Sequence, residues 1–150
     1  MDGASELVHA TAIALGSKAA LLRGAPGSGK SDLALRCLAQ VPGPLDPEQA
    51  RLVSDDQVRI ARTDGRLLAS APETIRGMIE VRGLGLLRVD CIDSAEVRLV
   101  VQLVAPEAIE RLPDPETAVE LCGVRLPLLL LAPFEASAPL KLLLALYQAP

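Results

Sequence analysis

Gly24-Ala25-Pro26-Gly27-Ser28-Gly29-Lys30-Ser31, GAPGSGKS in one-letter code, stands between two segments of different character. Before it, Ala19 to Arg23 is an apolar run of strand length; after it, Ser31 to Gln40 carries Leu33, Ala34, Leu35, Cys37 and Leu38 in a helical pattern. A strand, a glycine loop and a helix in this order predict an α/β domain. The stretch satisfies G-x-x-x-x-G-K-[ST], a pattern with a physical reason. Glycines let backbone N–H groups converge on one point, and the positive end of the following helix is directed there, so phosphate oxygens fit. Lys30 would reach the β- and γ-phosphates, and the Ser31 hydroxyl would ligate Mg²⁺. Gly24, Ala25, Pro26, Gly27, Ser28, Gly29, Lys30 and Ser31 are therefore the candidate nucleotide-binding residues. The alternative is a glycine-rich turn with a chance match, but the motif is complete and sits between the strand and helix it needs.

The remainder of the chain limits the choices. A length of 150 residues predicts one domain with a closed core. Half the residues are hydrophobic, yet there is one Tyr, one Phe and no Trp, so Leu, Val, Ile and Ala must fill that core. A net charge of −4, without a basic run or aromatics for stacking, argues against a nucleic-acid partner. Cys37, Cys91 and Cys122 lack CxxC or His spacing, which suggests neither a disulfide framework nor a zinc site and fits a reducing cytoplasm. The opening MDGASELVHATAIAL does not read as a secretion leader. Leu126 to Pro133 and Leu140 to Leu146, the most apolar stretches, are too short to span a bilayer, so no membrane partner is expected.

Along the chain, Leu7 to Leu15 reads as one strand turning at Gly16-Ser17 into Ala19 to Arg23. Val41 to Pro47 reads as a loop, Arg51 to Ser54 as a strand, and Thr63-Asp64-Gly65 as a hairpin turn. Pro72 and Glu73 predict a short helix to about Glu80, and Pro106 to Arg111 another; Leu84 to Val89 and Val97 to Val104 predict strands, and Leu140 to Tyr147 a packed helix.

A phosphate loop leaves the acceptor open. The chain has no Asn, so the Asn-Lys-x-Asp motif of many GTPases is absent. Leu52-Val53-Ser54-Asp55-Asp56 is an apolar strand ending in two carboxylates. Neighbouring side chains at a strand end point differently, so one Asp can face a metal and the other an acceptor hydroxyl as general base. A solvated turn rich in aspartate is the plainer alternative.

HATAIAL, GAPGSGKSDLAL, LVSDD, SAPETIRGMIEVRGLGLLRV and the IERL segment, in this order, resemble the catalytic domain of HPr kinase/phosphorylase. The stretch EVRGLGLL is similar to that family's signature, and the resemblance covers residues 7 to 112 best. It implies an α/β P-loop kinase-type domain with a central sheet flanked by helices, similar to the HPr kinase/phosphoenolpyruvate carboxykinase fold. It also implies a single catalytic domain without the family's usual N-terminal domain, a cytoplasmic homo-oligomer, hexameric in the family, and ATP with Mg²⁺ as cofactors. The partner implied is HPr or a nitrogen-branch HPr-like carrier. His9 matches an active-site histidine and Asp56 the carboxylate that takes the serine proton, with Asp55 as its support. Glu80 matches a metal-linked glutamate, Arg82-Gly83-Leu84-Gly85 a loop shaping the site, and Arg111 an arginine that neutralises phosphate charge.

Two departures stand out. Asp32 replaces the family's usual Glu after the Ser. Ala132-Pro133-Phe134-Glu135-Ala136-Ser137-Ala138-Pro139 stands where the family commonly has a basic Pro-x-x-Pro-Gly-Arg loop linked to phosphate removal, and the arginine is missing. Kinase activity is thus expected ahead of phosphorylase activity. A small-molecule kinase, which would need an arginine-rich lid, and a nucleotide-binding regulator without turnover are the other readings.

Overall fold

The computed structural model describes residues 5–150. The first four residues, part of the stretch weighed as a leader, lie outside the described residues.

Eleven strands and two α-helices are described. Three strands build the centre: β3 (Lys18–Arg23), β9 (Ala95–Leu103) and β11 (Val124–Leu131) run parallel, with β9 in the middle. On the far side of β3 come β2 (Thr11–Leu15) and β4 (Ala50–Ser54), each antiparallel to its neighbour. The other edge of β9 divides. Its first residues pair with β6 (Arg66–Ser70), which continues to β5 (Gln57–Thr63) and β1 (Ser5–His9), while Val100 to Leu103 pair with β11 and, through it, β10 (Ala118–Leu121). This division curls the nine-stranded sheet. A separate hairpin, β7 (Met78–Val81) with β8 (Gly85–Arg88), lies beside it.

Period-two alternation sorts the two sheet faces. Ile13, Leu15, Ala20 and Leu22 join one core with Leu33, Ala34 and Cys37 of α1 (Lys30–Ala39) and Leu142, Leu143 and Leu146 of α2 (Ala138–Gln148). Ala12, Ala14, Ala19 and Leu21 point oppositely and meet Val58, Ile60, Leu67 and Leu126 of the curled strands. Both helices therefore share one face, and the sheet covers its own other face. Alanine dominates that second core, which lets the curled strands come close without aromatic filling.

The mixed α/β class is as expected, with differences in detail. The run from Leu7 to Leu15 is two strands, because the backbone is redirected at Ala10, whose N–H bonds Asp56 O at 3.2 Å. The helix expected from Pro72 to Glu80 is a single 3₁₀ turn, Glu73–Ile75. Gly77, at φ 75°, ends it, and Met78 to Val81 find strand partners in Gly85 to Arg88. Helix beyond Pro106 likewise stops at the 3₁₀ turn Pro106–Ala108. The apolar run near Leu126, unassigned from sequence, is the third parallel strand. Among the described residues no helix is long and apolar enough to cross a membrane.

Candidate active site

The glycine stretch leaves the carboxyl end of β3 and enters α1 at Lys30, the position of open α/β sheets where ligands bind. Gly29 caps the helix at φ 100° and Gly27 lies at φ 79°, conformations that a side chain would strain. A Cβ at Gly24 would be crowded, 2.4 Å from the rotatable Ser28 Oγ and 3.1 Å and 3.3 Å from the Cβ atoms of Ser28 and Leu103. Lys30 is buried, and its Nζ donates to the carbonyls of Gly24 at 2.9 Å and Ala25 at 3.2 Å. Its ammonium is thus held over the start of its own loop.

Across from the loop, β4 ends in the acidic pair. Asp55 is buried, and its carboxylate accepts three hydrogen bonds. Ser31 Oγ donates to Oδ1 at 2.5 Å, Thr11 Oγ1 to the same oxygen at 3.0 Å, and the Glu80 backbone N–H to Oδ2 at 3.1 Å. One carboxylate therefore ties together the phosphate loop, β2 and β7. Asp56 turns the other way. Its φ of 69° and the Gln57 N to Asp55 O bond of 2.8 Å close a three-residue turn around it. Its N–H donates to Thr11 Oγ1 at 3.2 Å, and its exposed carboxylate lies 3.4 Å from His9 Nδ1. The adjacent aspartates so face different surroundings, and it is this turn, not strand alternation, that separates them.

A cleft of about 490 Å³ runs between these parts. His9, Lys30, Ser31, Asp56 and Glu80 line it, together with Gly27, Gly29 and Arg82. Gly83 and Gly85 take φ of 91° and 100° in the β7–β8 turn, which places Glu80 and Arg82 at the cleft rim. Arg111 is exposed on the segment after the 106–108 turn and is not part of this lining. Thr11 escaped the sequence reading although it holds both aspartates. A lone hydroxyl in the apolar strand Thr11–Leu15, wholly buried, was its one signal.

The donors available for a cation are hard oxygens: the Ser31 hydroxyl and Asp55 carboxylate, already in contact, with the Glu80 carboxylate on the cleft wall. Mg²⁺ is commonly held by one or two protein oxygens plus substrate phosphates, so this sparse set fits it. Among the described residues no cluster of three ligands suited to an all-protein metal cage is present.

The loop at the end of a parallel strand, facing a buried acidic residue, defines a P-loop α/β domain. The chain belongs to the HPr Serine kinase C-terminal domain family, whose profile matches residues 3–143. Among curated relatives, the HPr kinase/phosphorylase of Lactobacillus acidophilus is 31% identical over 131 residues, 80% of this chain and 38% of that protein. The HPr kinase/phosphorylase of Caldicellulosiruptor bescii is 32% identical over 134 residues, 82% of this chain and 40% of its own length. The chain thus spans two fifths or less of these relatives. The solved HPr(Ser) kinase/phosphatase from Coxiella burnetii shares the fold, with a TM-score of 0.75 at 24% identity over 92% of this chain and 91% of that one.

Proposed function

We propose that this domain is an ATP-dependent serine kinase acting on HPr or a nitrogen-branch HPr-like carrier. The observation that carries the reading is the Ser31 to Asp55 contact, which couples the phosphate loop to an acidic pair whose second member, Asp56, faces the same cleft. A regulator without turnover has no need of an exposed carboxylate at that point. The related HPr kinase/phosphorylases supply the substrate class.

In this reading, Lys30 exchanges its two loop carbonyls for phosphate oxygens when nucleotide arrives. Ser31, Asp55 and Glu80 would hold Mg²⁺, which when bound neutralises phosphate charge and orients the phosphoryl groups. Asp56 accepts the proton of the carrier serine as its oxygen attacks the γ-phosphorus; the bond to the β–γ bridging oxygen breaks and ADP departs. His9, beside Asp56, orients that carboxylate. Arg111 neutralises transferred charge; its exposed place outside the cleft is compatible with delivery to a neighbouring copy in a homo-oligomer.

The reverse reaction, attack of inorganic phosphate on phosphoserine to give pyrophosphate, is weak in this reading. It needs a cation for the incoming phosphate. In the loop after β11, Glu135 is paired with Lys141 Nζ at 3.2 Å, and Arg36 is spent on the carbonyls of Pro133 and Glu135. The test is transfer of label from γ-labelled ATP in the presence of HPr, the nitrogen-branch carrier and candidate metabolites. Label in a carrier supports the proposal; label in a metabolite favours a small-molecule kinase, and nucleotide binding without transfer favours a regulator.

A further inference from the structure

A second cavity, about 450 Å³, adjoins the phosphate loop, and neither Asp55 nor Asp56 lines it. Its walls are the segments that follow two of the central parallel strands: Leu103 to Pro106 at the end of β9, and Ala132 with Pro133 at the end of β11. Ser28 of the loop lines it as well. The cavity and the loop therefore occupy the carboxyl ends of three neighbouring parallel strands, so a ligand held at the loop by its phosphates has this apolar space next to it.

Phe134 stands at the junction and lines both the cavity and the catalytic cleft. It is the chain's one phenylalanine, yet it is 72% exposed. Its ring edge rests on the loop: a Cβ built on Gly29 would lie 3.0 Å from the ring's Cε1 and Cζ. The backbone beneath the ring is pinned, because Arg36 donates to the carbonyls on both sides, Pro133 and Glu135, and Lys141 holds the Glu135 carboxylate. An exposed aromatic on a fixed support, beside an apolar cavity open to a phosphate loop, suits a flat ring system.

We propose that this cavity receives the purine base of the nucleotide, with Phe134 as its stacking platform. The proposal rests on the nucleotide reading of the loop and adds which side of the loop the base takes. Asp56 and His9 line the cleft and not this cavity, so the base and the carrier serine have separate spaces, with Phe134 between them.

Calorimetric titration with MgATP and with magnesium tripolyphosphate, which has the phosphates and no base, separates the two ideas. The unaltered protein is expected to bind ATP more tightly than tripolyphosphate. Phe134→Ala should weaken ATP about tenfold and leave tripolyphosphate unchanged. Phe134→Tyr should restore parental ATP affinity. Ala105→Trp, at an exposed lining position, should fill the cavity and weaken ATP alone. Equal loss of both ligands in Phe134→Ala would mean that the ring only supports the loop, and unchanged ATP affinity in both variants would place the base elsewhere; either overturns the proposal. If the unaltered protein binds tripolyphosphate as tightly as ATP, the loop stands and the base subsite falls. If it binds neither, the nucleotide reading falls too.

Discussion

Replacing Asp55 by Asn removes a charge without removing volume. The parent carboxylate is 6% exposed and accepts from Ser31, Thr11 and the Glu80 backbone. The buried amide that replaces it sets its nitrogen either at Oδ2 against the Glu80 N–H, donor against donor, or at Oδ1, where the Ser31 and Thr11 hydroxyls must both turn to accept; either mismatch costs about 1–3 kcal/mol. The hydrogen bonds that remain would fall from charge-assisted to neutral, adding about 1 kcal/mol. A total near 3 kcal/mol lowers the melting temperature of a chain this size by roughly 6–12 °C. Asp56→Asn is the internal control. Its side chain is 69% exposed and its neighbour His9 49%, and exposed pairs contribute no more than about 1 kcal/mol. Urea and thermal unfolding followed by circular dichroism measure both. If Asp55→Asn proves as stable as the parent, or more so, the carboxylate is a strained charge awaiting a cation, and its role as a tie between loop, β2 and β7 is refuted.

Three further outcomes are expected. Ser31→Ala should raise the Mg²⁺ concentration needed for half-maximal transfer more than it changes saturated turnover, read from a magnesium titration. Asp56→Asn should bind ATP normally while transfer falls by roughly two to four orders of magnitude in single-turnover assays; a larger fall in folded Asp55→Asn would exchange the two roles. Burial pushes the Cys37 thiol from 9.0 to about 12. The unfolded thiol ionises first, so stability attributable to Cys37 is complete below pH 9 and is lost as pH rises towards 12. Cys37→Ala should remove up to about 1.4 kcal/mol per pH unit from the slope of alkaline unfolding, relative to the parent.

The parts of the site legible in the sequence are those whose demands are local. Gly27 and Gly29 declare positive φ, and Lys30 and Ser31 follow from their place at a helix start. The acidic pair was legible as a pair, but not the turn that separates its members, because the left-handed Asp56 depends on Thr11 holding its N–H from another strand. Glu80 became a site residue through resemblance alone. By local rules Pro72-Glu73 begins a helix, and only Gly77 and a partner strand at Gly85 to Arg88 make Met78 to Val81 extended. Val124 to Leu131 escaped for a different reason: a continuous apolar run carries no alternation, and its identity as a strand comes from its burial beside β9. Phe134 stood out in the sequence only as the one phenylalanine, within the departing 132–139 stretch; its contact with Gly29, more than a hundred positions away, comes from the fold.

We propose that phosphate passes from ATP to a serine of a carrier protein through this cleft. The most direct test is mass analysis of HPr and the nitrogen-branch carrier after incubation with MgATP and the domain, with fragmentation to locate any added phosphoryl group. One phosphoryl group is expected on a serine of the carrier, absent when folded Lys30→Ala replaces the parent. An unmodified carrier beside a domain that binds MgATP, or undiminished modification by Lys30→Ala, would contradict it.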